Sequence, residues 1–149
     1  LLRSPEWPDK MADRGKHTFT YSLYVHDRHW NDADTVKQAR QLNCPLEAIV
    51  TDIHKGSLPD YLSLARLNGD GVILDTVKRS EDGDGFIFRF YEAHGRQGKA
   101  KVTFFKAPTA VVETNLMELP LNGQPVQVNG KAIDIVLKPF EIKTFKVKF

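Results

Sequence analysis

The sequence predicts an all-β fold made of two β units, with one short helix in the first. Three observations point to it. Apolar and polar residues alternate with a period of two in several short runs. Asp-Gly and Asn-Gly pairs, which tolerate the positive φ of tight hairpins, punctuate the second half. Strand-like runs recur there about every ten residues, the spacing of an antiparallel sandwich. At 149 residues the chain can bury a sizeable core, as one domain or as two small packed sheets.

Residues 1–15 read as a polar loop punctuated by Pro5, Pro8 and Gly15. A strand is expected over 16–26. There His17, Phe19, Tyr21, Leu23 and Val25 alternate with Thr18, Thr20, Ser22 and Tyr24. A helix is expected at about 32–42, capped by Asn31 or Asp32, with Ala33, Val36 and Ala39 on one face. Pro45 ends it, because the residue before proline leaves the helical region. Ile49, Val50 and Ile53 suggest a further short strand, and Gly56-Ser57 and Leu58-Pro59 break the pattern. The boundary between the units falls here, giving 1–60 as the first and 70–149 as the second.

The second unit is expected to open with a strand from Val72 to Lys78 and a turn at Glu81–Gly85, followed by a strand from Phe86 to Glu92. Further strands are expected at Lys101–Phe105, Ala110–Glu113, Asn115–Leu119, Gln124–Val128, Ala132–Leu137 and Ile142–Phe149, with hairpin signals at Asn122-Gly123 and Asn129-Gly130. Phe86, Phe88 and Phe90 should face the core, with Arg89 and Tyr91 on the other side. Phe140, Phe145 and Val147 should close the second sandwich as its last strand.

Twenty-one basic against 19 acidic residues leave a net charge of +2, close to balance. Lys143, Lys146 and Lys148 are interleaved with Phe145, Val147 and Phe149 and read as the wet face of a strand rather than a nucleic-acid patch, since no Arg or aromatic cluster accompanies them. No nucleic-acid partner is expected. No apolar run approaches the length of a membrane span, and no membrane partner is expected either. No signal peptide opens the chain; Leu1 begins in mid-motif, which suggests a piece of a larger protein. Cys44 is the single cysteine, so no internal disulfide framework exists, and a reducing compartment fits.

Catalytic signals are few. His26 and His29 lack a third ligand at zinc-site spacing. Asp82 and Asp84 resemble half of a calcium loop, but the acidic ligand that should follow is missing, which favours a hairpin turn. No nucleophile elbow, phosphate-binding glycine loop or His-Glu-x-x-His motif occurs. The opening loop is the best place to present polar groups: Asp9, Asp13, Arg14, Gly15 and His17 cluster there beside a predicted strand. Solvated, ion-paired bracing is the plainer reading of the same residues. Asp9 and Asp13, with Arg14 beside them, read as structural or substrate-contacting acids rather than a catalytic carboxylate pair.

Seven motifs carry a resemblance. They are Leu1-Leu-Arg-Ser-Pro5 with Pro8-Asp9; Ala12-Asp13-Arg14-Gly15 with His17-Thr-Phe-Thr-Tyr21; Ala39, Leu42-Asn43 and Pro45-Leu46; and Val77-Lys-Arg-Ser-Glu-Asp82. Phe88-Arg-Phe-Tyr-Glu92 with Gly95, Asn115-Leu-Met-Glu118, and Leu137-Lys-Pro-Phe-Glu-Ile-Lys-Thr-Phe145 complete them. In this order, and over nearly the whole chain, they resemble the C-terminal β region of glycoside hydrolase family 38, the α-mannosidases. The Trp-containing opening and the His26–Trp30 segment look most like the cytosolic and bacterial branch, and a cytoplasmic location is expected.

The resemblance implies that residues 1–60 end a large, supersandwich-like β-sandwich and that 70–149 form a smaller antiparallel one. It also implies a retaining enzyme of carbohydrate catabolism acting on α-mannosides or oligomannose, with a catalytic zinc, an aspartate nucleophile and an acid. All of these belong to regions this chain does not match. No cofactor is therefore expected in this chain itself; zinc belongs to the missing catalytic domain, and the chain alone should be inactive. Its partners are then the catalytic domain of the same polypeptide and a mannose-containing oligosaccharide, and a homo-oligomeric parent is compatible with it. The resemblance places Asp9, Asp13, Arg14, Gly15 and His17 on a loop that borders the sugar pocket. A free-standing carbohydrate-binding module is the alternative, with Trp7, Trp30 and Tyr61 as its available aromatics. A structural sandwich mediating subunit contacts is a third.

Overall fold

The computed structural model describes residues 3, 5–121 and 125–149. It divides into two compact units, Leu1–Leu46 and Glu47–Phe149.

The first unit contains helix α1 (Thr35–Asn43). The helix starts later than expected because residues 29–34 wind a non-helical turn. Asp32 and Ala33 N–H groups both donate to the His29 carbonyl, and Asp34, at φ 55°, interrupts the helical backbone. Asp34 makes no side-chain cap. At the far end the Cys44 N–H donates to the Arg40 carbonyl and Asn43 Nδ2 to the Ala39 carbonyl, before Pro45 stops propagation. Ala33 is buried and the Tyr24 hydroxyl donates to its carbonyl. No helical residue is buried.

The strand expected over 16–26 is not formed. Its alternation is real, but a strand is a paired object, and no described sheet includes this segment. Tyr21, Leu23 and Val25 are each more than 80% exposed.

Among the described residues, the second unit is a sandwich of seven strands. They are β1 (Ala65–Gly69), β2 (Val72–Arg79), β3 (Phe86–Glu92), β4 (Gly98–Phe104), β5 (Ala110–Thr114), β6 (Ala132–Leu137) and β7 (Ile142–Lys148). One sheet runs β1-β4-β6 and the other β2-β3-β7-β5, with every pairing antiparallel. β3 and β6 have the limits the periodicity predicts. β1 has no sequence expectation behind it. Gly69 ends it where an added Cβ would sit 2.5 Å from the Ala100 Cβ, so only glycine lets the two backbones come this close.

The core is built by alternation. Val72, Phe88, Phe90, Val111, Phe145 and Val147 face Ala100, Val102, Phe104, Ile133, Ile135 and Leu137 across the sandwich. Phe88 meets Phe104 edge-on at 5.2 Å, and Phe90 meets Phe145 the same way at 6.0 Å. Both contacts suit the ring quadrupole. Phe86, expected in the core, lies at the rim and is 40% exposed. Arg89 and Tyr91 lie on the outer face as expected, where Arg89 Nε donates to Thr144 Oγ1 at 3.2 Å.

Other differences follow from turn chemistry. Residues 115–119 form a turn, not a strand, because Asn115 Oδ1 accepts the N–H groups of Met117 and Leu119 and Glu118 takes φ 64°. The turn carries Glu118 to the β2 side of the sheet, where its carboxylate accepts the Glu81 N–H at 2.8 Å and pairs with Lys78 at 2.8 Å. Residues 125–128 are not a strand, although the Val126 N–H donates to the Val111 carbonyl and both Val126 and Val128 pack against the core. The Asn122-Gly123 hairpin signal lies outside the described residues. Ile49, Val50 and Ile53 are exposed and form no strand.

Phe145 and Val147 are buried in β7 as expected. Phe140 is 70% exposed: at φ 57° it belongs to the turn before the strand, with its ring against Gly95. The three lysines also divide. Lys146 and Lys148 sit opposite the buried face and pair with Asp82 and Asp84, whereas Lys143 shares the parity of Phe145 and pairs with Glu113.

Candidate functional site: the opening loop

The opening loop is a succession of turns. The Trp7–Pro8 peptide is cis. Asp9 organises the next turn, its carboxylate accepting the Met11 N–H at 2.8 Å while its carbonyl accepts that of Ala12. This is the Asx turn that aspartate favours. The Arg14 N–H then returns to the Met11 carbonyl, and Asp13 enters the left-handed region at φ 59°. Gly15 follows at φ 129°, with nothing within 4 Å of where a Cβ would be. His17 folds back instead of starting a strand, its Nε2–H donating to the Asp13 carbonyl at 2.9 Å.

Asp9, Asp13, Arg14, Gly15 and His17 therefore share one loop, and all are exposed. Their parts differ. The Asp9 carboxylate is engaged in shaping its own turn, and the His17 ring clasps the loop closed. Arg14 presents an exposed guanidinium, and Gly15 an exposed backbone that a ligand can approach closely. The arrangement can donate hydrogen bonds to a polyhydroxylated or anionic ligand.

Other sequence candidates are absorbed by local bonding. His26 Nδ1 meets the Arg28 carbonyl at 2.7 Å, and His29 Nδ1 meets Asn31 Oδ1 at 2.6 Å. Asp82 accepts from Ser80 Oγ and the Asp84 N–H inside the β2–β3 turn. The Lys146 ammonium bonded to Asp82 is the main reason its carboxyl titrates far below the usual carboxylate range. No three His, Cys, Asp or Glu side chains gather at a possible metal position among the described residues. Trp7 and Trp30 belong to the first unit and Tyr61 to the second.

Two features escaped sequence reading. Glu92, 1% exposed at the end of β3, accepts four backbone N–H groups: His94, Gly95 and Arg96 from the turn after β3, and Phe140 from the turn before β7. Burial pushes its pKa up, but the four donors outweigh burial and hold the carboxyl below its ordinary value. The second is a cleft of about 290 Å³ in the sandwich unit, lined in part by Tyr61, Arg66, Thr103 and Lys131. Its residues are far apart in sequence and carry no motif.

The chain was compared with known proteins. Residues 71–145 match the family model described as the glycosyl hydrolases family 38 C-terminal beta sandwich domain. The chain is 33% identical to Alpha-mannosidase G of Dictyostelium discoideum, over 98% of this chain and 14% of that protein. It is 28% identical to Alpha-mannosidase 2C1 of Homo sapiens, over 95% of this chain and 14% of that one. It is also 28% identical to Alpha-mannosidase of Saccharomyces cerevisiae, over all of this chain and 15% of the relative. The chain thus spans 14–15% of the length of the relatives it matches.

Proposed function

This chain belongs to glycosyl hydrolase family 38, whose C-terminal β-sandwich domain it carries, and we propose that it serves an α-mannosidase as the accessory β region that completes the edge of the sugar pocket. The observation that carries the reading is alignment over 95–100% of this chain with three proteins named as α-mannosidases. In this reading the parent is a retaining, zinc-dependent enzyme acting on α-mannosides or oligomannose. The zinc, nucleophile and acid belong to parts of the parent outside this chain. The chain's own contribution is binding and support: Arg14 and the Gly15 backbone reach the sugar, Asp9 and His17 hold the loop in shape, and Asp13 supplies the turn between them.

The exposed apolar alternation of residues 19–25 supports a partner in the same polypeptide, since an extended segment of this pattern gains a ladder and burial by joining a sheet. A cytoplasmic location fits the free, exposed Cys44. No helix among the described residues is long and apolar enough to cross a membrane.

Two measurements test the reading. The purified 149-residue chain should hydrolyse no aryl α-mannoside, with or without added zinc; turnover with one tightly bound zinc overturns it. In the intact parent, Arg14→Ala should lower kcat/KM about ten- to a hundredfold, the cost of one charge-assisted hydrogen bond, with zinc content and melting unchanged. Unchanged kinetics in a destabilised variant would mean that Arg14 only braces the loop.

A further inference from the structure

We propose that the cleft at the β1–β4–β6 end of the sandwich, built from residues other than those of the opening loop, binds the phosphomonoester group of a sugar-sized molecule. The sheet register builds it. Arg66 of β1 lies directly opposite Thr103 of β4, which puts both side chains on the same outer face. The chain entering β1 brings Tyr61 beneath Arg66, whose guanidinium carbon stands 5.3 Å from the ring centroid. From the β6 side, Lys131 crosses to donate to the Phe105 carbonyl at 3.3 Å, placing a second cation on the rim. The resulting space of about 290 Å³ is the size of a small ligand pocket.

Its charge sets this cleft apart. Arg66 and Lys131 both line it, and among the described residues no carboxylate does. On the other sheet, Lys78, Lys143, Lys146 and Lys148 each pair with an Asp or Glu. Two cations brought together without an acid offer a docking point for an anion. The rigid guanidinium fork matches two phosphate oxygens, and its stacking on Tyr61 orients that fork before the ligand arrives. The lysine adds a point charge with rotatable donors, and the Thr103 hydroxyl adds a neutral donor. The Tyr61 ring, 69% exposed, leaves apolar surface for the C–H face of a ring beyond the phosphate. A neutral sugar alone would leave both charges unused. The sugar half of the assignment rests on the glycosidase reading; the anion half does not.

The test is a titration of the isotopically labelled 149-residue chain, followed by amide resonances, with mannose 6-phosphate, inorganic phosphate and mannose as separate probes. Mannose 6-phosphate should shift Arg66, Thr103 and Lys131 saturably with Kd about 1 mM or tighter. Inorganic phosphate should shift the same residues at least severalfold more weakly, and mannose should not shift them. Arg66→Gln should weaken mannose 6-phosphate binding about tenfold or more, and Lys131→Gln severalfold, both with unaltered spectra elsewhere. Raising the salt concentration should weaken the wild-type interaction. Equal binding of inorganic phosphate overturns the sugar assignment while leaving an anion site. Equal binding of mannose overturns the anion assignment. Absence of saturable shifts, or full affinity in both variants, overturns the site. None of these outcomes depends on mannosidase activity, so each is distinct from a failure of the pocket-edge reading.

Discussion

Glu92 shows most directly how one side chain organises this fold. Its carboxylate joins the turn after β3 to the turn before β7 through four N–H donors, and so ties residues 94–96 to residue 140. A neutral amide cannot accept all four, and its own NH2 would face a backbone donor. Glu92→Gln should therefore lower stability by about 3 kcal/mol, measured by chemical denaturation. The pH dependence has a definite sign. The carboxyl titrates lower in the folded chain than its ordinary 4.5, so its contribution is complete above that value and is lost as the pH falls through the folded pKa. Melting temperature should fall below about pH 4.5 in the wild type and fall less in Glu92→Gln. Equal acid sensitivity in both would show that other carboxylates dominate.

The strands succeed or fail by what they pair with. β7 lies between β3 and β5, and Phe145 within it is 2% exposed against Phe90. Phe145→Ala should cost about 3–5 kcal/mol, much of the stability of a domain this size, and thermal melting should show either a large drop or an unfolded chain. A normal melt would mean that the strand is peripheral to the core. Phe140→Ala is the control: the same deletion in an exposed turn residue should cost far less. At the β1 edge of the other sheet, Gly69→Ala would drive a Cβ to 2.5 Å from both the Ala100 Cβ and the Lys99 carbonyl oxygen. It should destabilise the unit by about 1–3 kcal/mol, with loss of amide-exchange protection concentrated in β1.

Among the described residues, the buried core belongs almost entirely to the second unit, whereas the first keeps one buried residue, Ala33. Limited proteolysis should therefore cut within residues 1–64 and leave a core containing β1–β7, which melts close to the temperature of the full chain. A melt well below it would show that the first unit supports the second. Tyr21, Leu23 and Val25 form an exposed apolar alternation that invites strand pairing between molecules. Leu23→Lys should reduce self-association of the isolated chain, measured by light scattering, without changing the melt of the sandwich.

What the sequence determined by itself is local. Alternation placed the Phe88 and Phe90 face inward and Arg89 outward, and the Asp-Gly turn closed the β2–β3 hairpin. These outcomes depend on neighbours in sequence and on a pleat of period two. The opening loop was legible as well, because prolines, a glycine and aspartates specify turns whatever lies around them. Tertiary structure decided everything that needs a second segment. The same alternation that made β3 a strand left 17–25 unpaired, since a ladder requires a neighbour that periodicity cannot supply. Asn115–Leu119 became a turn through one asparagine side chain, and Glu92 found donors 48 residues away at Phe140. Arg66, Thr103 and Lys131 meet only because β4 lies between β1 and β6. Such sites have no motif to read, because their spacing is set by which strands pair, and pairing is chosen by burial of the whole core.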